Sequence, residues 1–175
     1  MPKRNGAKLR KIIACIKTPF LNIEGQWEAD ENEQNAAWEL YVELITRISV
    51  VKLNPNEGLL REALSSLNLI FKETRQVLKK YGPGIAKPKG SGTLSLGHIA
   101  VTVINSLIRP ILSKWHPLLM DYENTKRKNL SPFEHEKRWG HNKELRKVLN
   151  DLQIAIQKYA DLLAEVAGIQ PLNKK

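Results

Sequence analysis

Four histidines, His98, His116, His135 and His141, are the residues best suited to metal or acid–base chemistry. The run His135-Glu136-Lys137-Arg138-Trp139 opens like a zinc-protease helix, which needs a second His four residues after the first to share one face. Trp139 stands there instead, and His141 lies six residues on, turned to another face of any helix. No Glu-x-x-His pair of the kind that builds a carboxylate-bridged di-metal centre occurs, so the sequence implies no metal and no cofactor. The glycine-rich stretch 82–92 lacks the spacing of a phosphate-cradling P-loop. Ser91 and Thr93 have no paired base, and the single cysteine, Cys15, has no nearby His. No nucleophile can be named, and an enzyme is the minority reading.

The residues that do cluster are cations. The net charge is +10 over 175 residues, and it is unevenly spread. Residues 1–17 carry +6, residues 18–43 carry −7, and the rest of the chain carries +11. A basic body attracts nucleic acid, anionic lipid or an acidic partner without choosing among them, and the acidic stretch is placed to fold back onto it as an internal counter-charge. Two cation clusters stand out. Lys79, Lys80, Lys87 and Lys89 surround the glycine-rich loop, whose backbone N–H groups are free to approach a phosphate. Lys126, Arg127 and Lys128 are interleaved with Trp115, His116 and Trp139, a composition that suits base stacking and cation–π recognition. The alternative for the aromatics is structural: Trp115 and Trp139 pack together and fix the chain crossing.

These residues need elements to position them. Hydrophobic residues make up 42% of the chain and charged residues 26%, the balance of an ordinary globular domain. A lone cysteine fits a reducing compartment. No uninterrupted apolar run approaches the roughly 18 residues that span a bilayer, so no spanning helix is expected. Leu9, Ile12, Ile13 and Ile16 recur at helical spacing among Lys8, Arg10, Lys11 and Lys17. This predicts a basic amphipathic helix over 8–17, ended by Pro19. It is too short for a secretory signal; docking on the body, an anionic membrane surface and an organelle presequence stay open.

The body reads as four helices. The first covers about 34–52, with Trp38, Tyr41, Leu44, Ile45 and Ile48 on one face, and Asn54-Pro55-Asn56 breaks it. The second covers about 57–81 and stops at Gly82-Pro83-Gly84. The third starts near Leu94 and is kinked by Pro110 and Pro117. The fourth opens on Ser131, Pro132 and Glu134 as a capping box and runs to Gly168 and Pro171. The expected fold is all-α: an antiparallel four-helix bundle with a kinked third helix and an N-terminal amphipathic arm. Residues 1–33 form the arm and an acidic linker, and 34–170 the bundle. Its core is expected on Tyr41, Ile45, Leu64, Leu67, Phe71, Val103, Leu107, Leu149, Leu152 and Tyr159. A straight third helix would hold the two cation clusters at opposite ends; a fold-back at Pro110 and Pro117 would join them in one cleft.

Trp38-Glu39-Leu40-Tyr41-Val42-Glu43-Leu44, Leu60-Arg61-Glu62-Ala63-Leu64, Tyr81-Gly82-Pro83, Arg109-Pro110, Trp115-His116-Pro117 and Ser131-Pro132 with His135-Glu136 resemble a set of uncharacterised bacterial all-helical proteins over about residues 38–168. The resemblance implies a bacterial origin and a single helical domain, and brings no activity, cofactor or catalytic residue.

The leading reading is therefore a non-enzymatic binding module with a basic surface for a polyanion, nucleic acid or nucleotide, in the cytoplasm or peripheral at a membrane. The alternative is a protein-interaction or membrane-associated scaffold acting through the N-terminal arm. An enzyme assembled from several helices is the third reading.

Overall fold

The structure is a computed structural model, and it describes residues 9–47, 53–54, 56–90 and 92–172. The expected four-helix bundle is not what forms. Among the described residues a two-stranded antiparallel sheet precedes five separate α-helical segments, the third of them continuous through a π-helical stretch.

The first correction is the arm, which is a β-hairpin and not a helix. Strands β1 (Arg10–Lys17) and β2 (Asn22–Ala29) pair in a register that sets Ile12 opposite Trp27, Ala14 opposite Gly25 and Ile16 opposite Ile23. In β1 every second side chain, Ile12, Ala14 and Ile16, is buried, while Lys11, Ile13, Cys15 and Lys17 point outward. Apolar residues at 12, 13 and 16 satisfy a helical arc, but 12, 14 and 16 also satisfy a period of two. Three β-branched isoleucines and the availability of β2 decide for the strand. Pro19 ends a strand rather than a helix. Its turn is held by Thr18, whose hydroxyl donates to Leu21 O at 3.2 Å and accepts from Leu21 N at 3.0 Å.

Helix α1 (Glu31–Ile45) starts directly after β2. Asp30 accepts the Glu33 N–H at 3.0 Å, and Glu33 reaches back to the Asp30 N–H at 3.4 Å, a complete capping box. The expected extension toward residue 52, including Ile48, lies outside the described residues. Helix α2 (Leu60–Tyr81) runs into a short 3₁₀ turn at Gly82–Ala86. Helices α3 (Leu96–Thr102) and α4 (Arg109–Glu123) are joined by a π-helical stretch, Val103–Ile108, into one helical rod. Pro110 lacks an N–H for its i−4 carbonyl, and the wider π turn just before it absorbs the mismatch: Arg109 donates its N–H to Ile104 O, five residues back. The rod therefore stays helical through Pro117 instead of folding back. Leu96–Glu123 is long and apolar enough to cross a membrane by length and composition, contrary to the sequence expectation; half of its most apolar window is buried in the fold.

The expected fourth helix is two. Ser131 caps α5 (Pro132–Lys137) through its hydroxyl on the Glu134 N–H at 3.2 Å. After Trp139 and Gly140 the chain restarts as α6 (Asn142–Ala167), which ends on Gly168 in the left-handed conformation (φ 79°).

The hairpin lays its inner face chiefly on α6, and α1 packs between α6 and α2. One continuous apolar core takes in Ile12, Ile16 and Trp27 with Tyr41, Leu64, Leu67, Val103, Leu107, Leu149, Leu152 and Tyr159; Ile45 and Phe71 are half-buried at its edge.

Candidate functional site

The corner where α4, α5 and α6 meet is rich in positive charge. Between residues 124 and 147 there are eight Lys and Arg against three Glu. Glu136 is buried and Glu144 is taken by Lys114 and His141. Lys126, Arg127, Lys128, Lys137, Arg138, Lys143 and Lys147 are all exposed, and none has a carboxylate partner among the described residues. The Lys126 ammonium donates to Leu130 O at 3.0 Å, which tethers the loop, and Lys137 lies over the Phe133 ring.

The aromatics named from the sequence are the scaffold of this corner. Trp115 and Trp139 are buried and meet edge to face with centroids 6.1 Å apart. Tyr122 stacks on His135 at 4.1 Å, and the pair is locked both ways: the Tyr122 hydroxyl donates to His135 O, and His135 Nε2–H donates to Tyr122 O, each at 2.9 Å. His116 Nδ1 faces the Arg61 guanidinium at 3.4 Å, while its buried Nε2 has no hydrogen-bond partner among the described residues. Stacking of a base on Trp115 or Trp139 would need this packing to open.

Beside the loop lies a cleft of about 310 Å³ lined by Arg61, Glu62, Glu123, Lys126, His135 and Glu136. Arg61 clasps Glu123 through two nitrogens, at 2.9 Å from Nε and 2.6 Å from Nη2. Glu136 Oε1 and Oε2 each accept the Leu60 N–H at 2.9 Å, which gives α2 the N-terminal cap that its own sequence lacks. Burial pushes the Glu136 carboxyl above the ordinary value; the Leu60 and Arg61 N–H groups pull against that shift. Behind it, Arg146 donates to the carbonyls of Asn54, Glu57 and Gly58 at 3.0–3.1 Å and so pins the turn into α2.

Half of the other cluster is paired. Lys89 sits between Asp30 at 3.0 Å and Glu33 at 2.9 Å, and Lys80 pairs with Glu39, which also accepts the Tyr81 hydroxyl. The acidic stretch thus folds back as counter-charge. Burial raises the Asp30 and Glu39 carboxyls, but the partners outweigh it and hold both below the usual range. Gly90 and Gly92 serve contact with the hairpin: a Cβ on Gly92 would overlap the Gln26 carbonyl, and one on Gly90 would meet the Glu28 carboxylate. Lys79 and Lys87 are the two of the four that remain exposed without a carboxylate partner among the described residues. The two clusters lie at opposite ends of α2, because Arg61 at its start touches Glu123 while Lys79 lies 18 residues on, about 27 Å along the axis.

Ile12 and Ile16 of the arm are in the core, Leu9 and Ile13 outside it. Among the described residues no group of three His, Cys, Asp or Glu is placed to hold a metal. Sequence reasoning passed over Glu33, Glu136, Arg61 and Arg146. Only Glu33 carried a local signal, the Asp30-x-x-Glu33 capping pattern. No protein-family model, curated protein or solved structure matches the chain.

Proposed function

We propose that the protein binds a polyanion, nucleic acid in the first place, through the corner formed by the α4–α5 loop, α5 and the start of α6. The observation that carries this reading is the set of seven exposed cations without carboxylate partners among the described residues, set beside a second cluster in which Lys80 and Lys89 are paired with carboxylates. Cations so placed exchange counterions for phosphates at little cost, whereas Lys89 would first have to abandon a buried glutamate. Contact is to the phosphate backbone and so is indifferent to sequence. The setting that suits it is a reducing, nucleic-acid-bearing compartment such as a bacterial cytoplasm.

The experiment is a fluorescence-anisotropy titration of DNA, RNA and anionic vesicles at two salt concentrations, with the wild type and with K126E/R127E/K128E. Nucleic-acid binding that weakens in the triple variant, with a salt slope shallower by roughly one unit per lost phosphate contact, supports the proposal. Binding that survives charge reversal, or that is confined to vesicles, removes it.

A further inference from the structure

We infer that the outer face of α1 around Trp38 is a docking surface for a partner segment that offers an arginine or lysine side chain. Trp38 is 43% exposed, whereas Trp27, Trp115 and Trp139 are buried. Its indole is shared by two grooves. One, about 360 Å³, runs between α1 and α2 and is lined by Glu39, Val42, Glu43, Glu73, Val77 and Lys80 with Trp38 itself. The other, about 430 Å³, lies on the opposite side, where Glu31, Gln34 and Asn35 face Ala167 and Ile169.

The charge around this indole is reversed from that of the chain. Four carboxylates and one ammonium line the two grooves in a molecule of net charge +10. Glu39 is held by Lys80 and Tyr81, and Glu43 by Arg47. Among the described residues Glu73 accepts a long bond of 3.5 Å from Gln76 and has no ion-pair partner, and Glu31 has none either. Each groove beside Trp38 is therefore lined by one carboxylate without an ion-pair partner among the described residues. The α2 cations Lys72, Arg75 and Lys79 project from a neighbouring arc of the helix and do not line the groove.

An exposed indole flanked by carboxylates over an apolar floor, here Val42 and Val77, matches a guanidinium or ammonium on an aliphatic stem. The cation meets the ring face, the carboxylate takes the N–H donors, and the stem covers the valines. A polyanion is repelled by the same carboxylates. This surface is thus separate from the basic corner and does not depend on it.

The test is a titration with the peptide acetyl-(Gly-Arg)₄-amide, read by tryptophan fluorescence and by calorimetry, with acetyl-(Gly-Glu)₄-amide as control. The arginine peptide alone should bind and should perturb the Trp38 emission. W38A and E73K should each weaken binding by roughly fivefold or more. Both positions are on the surface, and far-UV circular dichroism checks the fold. K126E/R127E/K128E should leave peptide binding unchanged, which separates this inference from the polyanion reading. Equal binding of the two peptides, no response to E73K, or Trp38 quenching that rises with protein concentration in the absence of peptide would overturn it; the last result would give the face to a second copy of the chain.

Discussion

Glu33 and Leu96 are 63 residues apart in the chain, yet Glu33 Oε1 accepts the Leu96 backbone N–H at 3.0 Å inside the protein. The same side chain closes the capping box of α1 through Asp30, and its second oxygen takes the Lys89 ammonium. One carboxylate, 0% exposed, thus serves the start of two helices, α1 and α3, and holds the loop that leads into the second. Glu136 repeats the device for α2, accepting the Leu60 N–H from 76 residues away.

Replacing Lys89 by Met should therefore behave as a folding defect. It leaves the buried Glu33 carboxylate without its cation, and breaking a buried pair in this way costs about 3–5 kcal/mol. Chemical denaturation of the variant checks the figure. A loss below about 1 kcal/mol would mean that backbone N–H groups alone suffice for Glu33.

Glu136→Ala should cost about 1–3 kcal/mol, because the Leu60 N–H would be left buried and unpaired. Glu136→Gln keeps an acceptor and separates capping from charge. Burial raises the Glu136 carboxyl in the folded state, so the native protein holds that proton more tightly than the unfolded chain does. Its contribution to stability then falls as pH rises from the ordinary carboxylate value through the raised folded one. Glu136→Gln should flatten that part of the stability–pH curve.

Asp30 and Glu39 should act with the opposite sign. Their carboxyls are depressed, so the stability they supply is present above the unfolded value, near 4, and is lost as pH falls through the folded one. Asp30→Asn should reduce the acid-dependent loss seen in thermal melts below pH 4.

Gly92→Ala should destabilise the protein by about 1–3 kcal/mol through overpacking, since the new methyl meets the backbone of Gln26 and Trp27. Gly84→Ala, in open space within the same loop region, should be close to neutral. Equal effects at the two positions in equilibrium unfolding would place the loop away from β2.

Leu152→Ala in the fully packed face of α6 should cost about 2–5 kcal/mol. A change under about 0.5 kcal/mol would put that face in solvent.

Most of the core and the long helical stretches follow from the periodicity of the chain, although the expected fourth helix divides into α5 and α6. Leu64, Leu67, Val103, Leu107, Leu149, Leu152 and Tyr159 recur at steps of three and four, and a repeat sustained over several turns has one reading. Helix ends with local chemistry, such as Ser131-Pro132 and Gly168, were legible for the same reason. Where the stretch was short, local pattern did not suffice. Residues 9–17 fit a helix and a strand equally well, and the pairing of Ile12 with Trp27 and the cover supplied by α6 selected the strand. The π turn at Val103–Ile108, which keeps the rod helical past Pro110, also needed the surrounding packing to be seen. The candidate site divides in the same way. The cations were visible in the chain, but whether a lysine faces solvent or a glutamate depends on what the tertiary fold places 50 or more residues away. Lys89 meets Glu33, while Lys126, Arg127 and Lys128 meet no carboxylate among the described residues, and no local spacing encodes that difference. Charge is a property of the sequence; its neutralisation is a property of the fold.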